Sequence, residues 1–267
     1  MKQARALEKV LKRDRLLVLG ALVGVTALAW IYLFVLAADM GDMEIGSAMA
    51  SGMAMAHAKP WTVLEFALIF LMWAVMMVGM MLPSATPMIL LYAAVTRKQR
   101  AEGTPLAPVG LFASGYLIVW TAFSLAAAVL QWALVKTALL SPMMVSASPY
   151  LGGAILIAAG VYQLTPLKTA CLKHCRTPIS FVARHWRSGT WGTLVMGMHH
   201  GAFCVGCCWA LMTLLFVGGV MNLVWVAIIA GFVLLEKVLP AGQGMGRLTG
   251  AALMAWGAWL ISSPPLV

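Results

Sequence analysis

Long apolar runs decide what this chain can fold into. Seven are visible, at about 16–37, 61–93, 106–135, 149–167, 191–219, 222–239 and 248–263. Hydrocarbon offers no partner for a bare N–H or C=O, so runs of this kind cross a bilayer as helices. The pattern predicts an all-α polytopic transmembrane bundle of about seven spans, one domain over residues 1–267, in contact with lipid throughout. Composition agrees: 63% of the chain is hydrophobic and 10% charged, far from the balance of soluble domains. No stretch is long enough to make a separate soluble domain. No nucleic-acid motif is present, so the net charge of +10 reports topology instead.

Basic residues set the orientation. With the N-terminus inside, the inner segments carry the six basic residues before Leu16, then Arg97, Lys98 and Arg100, then Lys168, Lys173, Arg176, Arg184 and Arg187, then Lys237 and Arg247. Of the 18 basic residues, this leaves Lys59 and Lys136 outside. The positive-inside rule therefore predicts N-in, C-out, with an uncleaved first helix.

The most chemical stretch is Trp191 to Met212, WGTLVMGMHHGAFCVGCCWALM. On a helix, Met196, His200, Cys204, Cys207 and Cys208 fall within an arc of roughly 120°, while His199 lies about a quarter-turn away, as a flank. Cysteine also packs as a small hydrophobe, and that reading competes. An imidazole in hydrocarbon needs a partner, however, and imidazole with thiolate and thioether suits Cu(I) and Zn(II).

The second run is the irregular one. A helix over 61–93 would be about 50 Å long, and Pro83 and Pro87 sit inside it, so a break or kink is expected near Leu82–Thr86. Before it, Glu65, Met72, Met76 and Met80 share an arc of about 80°, with Met77 and Met81 on a neighbouring face. Methionine at this spacing is either core filler or a Cu(I) ligand. Glu65 is either a ligand or a carboxylate that snorkels to the interface.

Two flanking segments extend the soft-ligand pattern. The expected outside loop, 38–60, places Met40, Met43, Met49, Met53, Met55 and His57 among Gly, Ala and Ser. Exposed methionine gains little from packing, whereas thioether and imidazole survive as metal ligands on an oxidising face, which suggests a capture loop rather than a plain linker. On the inside, CLKHC at 171–175 groups Cys171, His174 and Cys175 on an arc of about 100°, beside Lys168, Lys173 and Arg176, which favour thiolate. Three such ligands in five residues are a weaker signal than two separated CxxC pairs, for which zinc would be the default. The alternative is a basic juxtamembrane segment with two incidental thiols. Near the inner end of the sixth run, Glu236 and Lys237 read as an ion pair or a snorkelled pair, with a cation role as the sharper alternative.

Together, YQLTPLKTACLKHCRTP, GAFCVGCCWALM and LLEKVLP resemble an uncharacterised bacterial family of predicted metal-binding integral membrane proteins. The CLKHCR and CVGCCW motifs are the specific part. The pattern falls on Lys168, Cys171, His174, Cys175, Arg176, Gly201, Cys204, Gly206, Cys207, Cys208, Trp209, Glu236 and Lys237, and it implies a multi-pass inner-membrane protein with bound metal.

The reading that joins these features is a non-enzymatic protein that relays or transports Cu(I). The route would run from the outer methionines through Glu65, Met72, Met76 and Met80, then Cys207, Cys208, Cys204 and His200, to Cys171, His174 and Cys175. Zinc or haem are the other cofactors considered. The alternatives are a membrane redox protein using disulfides or haem, and an assembly partner of a larger membrane metalloenzyme or metallochaperone.

Overall fold

The computed structural model describes residues 2–50, 62–101, 108–137, 139 and 148–263, with side chains over 15–39, 62–97, 108–137, 139 and 148–263. These residues form ten helices and no strand. They are α1 (Lys2–Ala50), α2 (Val63–Ala101), α3 (Val109–Lys136), α4 (Pro149–Leu164), α5 (Pro166–Arg176), α6 (Pro178–His185), α7 (Gly189–Met212), α8 (Leu215–Gly218), α9 (Leu223–Val238) and α10 (Gly242–Ser262).

Four segments are long and apolar enough to cross a membrane: Arg15–Asp39, Val63–Arg97, Val109–Lys136 and Gly189–Gly218. The bent pair α4 and α5 adds a fifth if counted as one span. The expected count of seven is therefore not reproduced, since α9 is short and α10 is less apolar. Leu28, Ile31 and Phe34 on α1, Leu64 and Leu68 on α2, and Val224 and Ile228 on α9 all point outward. Apolar side chains spread over the outer surface in this way suit lipid as the solvent.

The expected break at Pro83 and Pro87 is absent; α2 runs through both prolines. Pro83 has no N–H for the Gly79 carbonyl one turn back, and the indole N–H of Trp30 on α1 donates to that carbonyl instead, at 3.3 Å. The hydroxyls of Ser84 and Tyr116 donate to the Met81 carbonyl at 2.8 and 3.0 Å. Sharp breaks fall instead where a threonine precedes a proline. Thr165 separates α4 from α5, which diverge by 65°, and its hydroxyl accepts from the Lys168 N–H as an N-cap with Pro166 at the first helical position. Thr177–Pro178 ends α5 and starts α6, again with proline at the start of the new helix, but the Thr177 hydroxyl donates back to the Lys173 carbonyl at 2.7 Å and does not cap α6. At the other end of the chain, α1 continues to Ala50, so Met40, Met43 and Met49, expected in a loop, lie on helical backbone; Met53, Met55 and His57 lie outside the described residues.

The sulfur-rich α7 is the most enclosed span, 56% buried against 11% for α1. It packs on α3 and α5, while α2 packs on α1, α3 and α9, and α4 packs on α10. Glycine makes two of these contacts close. A Cβ at Gly115 of α3 would lie 2.9 Å from the Met198 nitrogen, and one at Gly201 of α7 3.1 Å from the Tyr116 carbonyl oxygen. With Gly197, the second forms a small-xxx-small pair on α7. Between α4 and α10, Gly153 and Gly160 face Gly257 and Gly250, and a Cβ at any of the four would strike the opposite backbone.

Candidate metal-binding site

The 65° turn at Thr165 carries α5 across α7 and lays Cys171 and Cys175 on it. Gly206 is the seat for the first of them, because a Cβ there would come within 2.8 Å of the Cys171 sulfur. One turn further, the sulfurs of Cys175 and Cys207 approach to 3.9 Å. Cys175 also interacts with Cys204. From α2, Met81 brings its thioether to 3.9 Å from the Cys208 sulfur. Four thiols and one thioether from three helices thus meet at one place, and Met81, Cys204, Cys207 and Cys208 are all buried.

Polar groups close in on Cys204. The Tyr116 hydroxyl of α3 lies 3.1 Å from its sulfur, and the Lys237 ammonium of α9 donates to it at 2.9 Å. The same ammonium donates to the Ser84 hydroxyl at 2.9 Å. Helix α9 is held in place by its neighbour residue: the buried Glu236 carboxylate pairs with Lys168 of α5, whose ammonium also donates to Gln163. Arg176 donates to the Leu239 and Pro240 carbonyls at 2.6 and 2.8 Å. Lys168 and Arg176 therefore tie α5 to the end of α9, and these two of the three side chains expected to favour thiolate at the CLKHC turn are engaged elsewhere. The cation beside a cysteine is Lys237. The expected Glu236–Lys237 pairing is likewise replaced by two separate partnerships.

The CLKHC group divides. Cys171 and Cys175 lie against Gly206 and Cys207 of α7, whereas the His174 ring stacks on Phe203 of the same helix at 4.1 Å and lies 6.0 Å from the His185 ring. His185 in turn lies 6.0 Å from the exposed His199. The Nδ1 atoms of His174 and His185 sit against the Ala170 and Phe181 carbonyls at 2.9 and 3.2 Å. Three imidazoles thus gather at the rim, and sequence reasoning placed only His174 in a ligand group. His200, one turn before Cys204, is buried among Phe112, Tyr116 and Phe181, and its Nδ1 has no hydrogen-bond partner. A buried, unpartnered ring nitrogen beside thiols is the chemistry of a metal ligand.

On α2 the Met81 thioether has a contact to a cysteine sulfur, and Met72, Met76 and Met80 are buried in the same core cluster as Met81 and the three cysteines of α7. Glu65 sits at the exposed start of α2, where its carboxylate accepts from the Thr62 N–H at 2.6 Å and the Thr62 hydroxyl accepts from the Glu65 N–H at 3.2 Å. That is a capping box, about 24 Å along the helix from Met81.

Among the described residues, no three His, Cys, Asp or Glu side chains form a ready-made cage for a metal ion. The thiols of Cys207 and Cys208 donate back to the Cys204 carbonyl at 3.1 and 2.9 Å. A metal must displace those S–H···O bonds and swing the sulfurs together. With metal–thiolate bonds of about 2.3 Å, two sulfurs 3.9 Å apart need little further movement to share one ion.

No curated protein and no solved structure matches the chain. A family model described as PpoB2, copper chaperone, matches residues 70–260. The matched stretch contains Met81, Cys171, Cys175, the three cysteines of α7 and Lys237. Since it covers well over half of the sequence, the chain belongs to this copper chaperone family.

Proposed function

We propose that the protein binds Cu(I) in the membrane and hands it on through sulfur ligands. The observation that carries this reading is the convergence of Cys175, Cys204, Cys207, Cys208 and Met81 from α2, α5 and α7. Thiolate and thioether are soft donors that favour Cu(I), and two- or three-coordinate binding leaves the ion free to exchange between neighbours. In the route this suggests, Met81 and Cys208 form one end, Cys204 and Cys207 the middle, and Cys175 and Cys171 the other end. His200 stands ready as a nitrogen donor beside Cys204. The methionines at 40–55 and His57 serve as a capture segment for scarce copper, a role that rests on their composition.

The bilayer arrangement belongs to the same reading. Helices α4, α9 and α10 complete the bundle alongside the longer spans, with the N-terminus inside and the α5–α6 segment on the cytoplasmic side of an inner membrane. A metallochaperone or a membrane metalloenzyme is the fitting partner for the ion.

The test is anaerobic Cu(I) loading of the purified protein followed by X-ray absorption. Sulfur-dominated scattering that is lost in Cys175→Ser/Cys207→Ser is the expected result. Scattering dominated by nitrogen or oxygen, or unchanged copper content in the double variant, would sink the proposal.

A further inference from the structure

We propose that Lys237 is a fixed counter-ion that makes the sulfur site select a monovalent metal over a divalent one. The inference rests on the Cu(I) reading above and adds a specificity-determining residue to it.

The argument is one of charge in a medium that tolerates none left over. Lys237 is buried, its ammonium 2.9 Å from the Cys204 sulfur and 2.9 Å from the Ser84 hydroxyl. Its chain neighbour Glu236 is paired with Lys168, so those two charges cancel. Arg176 contributes its positive charge further out, against the Leu239 and Pro240 carbonyls at the partly exposed end of α9. The charge of Lys237 is therefore the one directed at the thiols.

A Cu(I) ion between the thiolates of Cys175 and Cys207, the pair 3.9 Å apart, with the other thiols still protonated, carries a net charge of −1, which Lys237 brings to zero. A zinc ion between the same two thiolates is already neutral, and Lys237 then leaves one positive charge in hydrocarbon, where an uncompensated ion is costly. Each ligand that starts as a thiol exchanges an S–H bond for an S–metal bond and releases one proton; no electron moves. Thiolates alone bind zinc well, so sulfur chemistry does not itself reject zinc. The lysine supplies the discrimination.

The experiment uses the full-length protein in detergent under anaerobic conditions. Cu(I) and Zn(II) are each titrated against a competing chromophoric chelator. In Lys237→Met the ratio of Cu(I) to Zn(II) affinity should fall by at least about tenfold, as expected when a buried charge loses its partner. Lys237→Arg, which keeps the charge, should keep most of the ratio. The double variant Lys237→Met/Cys207→Met removes one thiolate together with the lysine, so the count with Cu(I) returns to zero. It should regain a preference for Cu(I) relative to the single variant.

A Lys237→Met protein that binds copper with an unchanged ratio would overturn the assignment. So would a double variant that favours zinc; if Lys237→Met does not fold, Lys237→Arg read against the wild type decides alone, and a fall of about tenfold in the ratio in that charge-keeping variant overturns the assignment. Failure of the wild type to bind Cu(I) through its cysteines would instead remove the copper reading itself, a separate outcome visible before any lysine is changed.

Discussion

Cys175 and Cys207 stand at a separation that serves either of two chemistries. At 3.9 Å between sulfurs they lie short of the span of two metal–thiolate bonds, and well beyond the roughly 2.05 Å of a disulfide. Closing the disulfide would remove both ligands at once. Mild oxidation before loading should therefore reduce Cu(I) capacity, dithiothreitol should restore it, and Cys175→Ser should be indifferent to the oxidant. Capacity measured by elemental analysis decides this, and oxidant-insensitive loading of the wild type would show that the pair is not part of the site. The neighbouring ion pair is structural by contrast. Glu236→Gln leaves the Lys168 ammonium buried without its charge partner and should cost about 3–5 kcal/mol, read as earlier unfolding in denaturant. The sequence made the α7 cysteines and His200 readable because their spacing fixes one helical face. It did not single out Met81, since a run of methionines along α2 looks alike until α7 is placed against one of them.

At the scale of helices, the informative comparison is between two kinds of proline. Pro83 and Pro87 lie within a continuous α2, whereas Pro166 and Pro178 each open a new helix after a threonine. The difference lies partly in the sequence, where proline supplies a preorganised first turn at both sites and Thr165 adds a side-chain N-cap. It lies partly in tertiary structure, because the Gly79 carbonyl orphaned by Pro83 is served by Trp30, 49 residues away. No local pattern can announce that. Helix periodicity did place the two α5 cysteines on a common face, but the turn that aims this face at Gly206 and Cys207 comes from Thr165. Gly206 should be correspondingly intolerant: its absent side chain is the space that Cys171 fills. Gly206→Val is expected to push α5 away from α7 and weaken Cu(I) binding by about tenfold or more, on the scale of an overpacked contact. Circular dichroism should show the helix content nearly unchanged; copper affinity equal to wild type would mean that α5 is not needed at the site.

For the molecule as a whole, orientation is the open physical variable, and the charge pattern predicts it. With single cysteines introduced as Arg184→Cys and Lys136→Cys, an impermeant thiol reagent applied to intact cells should label the second and spare the first. The reverse pattern would invert the proposed direction of copper movement. Both positions are exposed, the native thiols on α7 are buried, and labelling of the half-buried Cys171 and Cys175 is subtracted with the wild type as control. The glycine contact between α4 and α10 bears on how such a molecule can move. Backbones that touch at Gly153, Gly160, Gly250 and Gly257 leave no layer of side chains to shear, so these two helices behave as a single stiff strut. That strut meets α5 at Thr165, and α5 is in turn pinned to α9 by Lys168 and Arg176, so the spacing of Cys175 and Cys207 is set by a chain of close contacts, as a jewel setting is held by its frame.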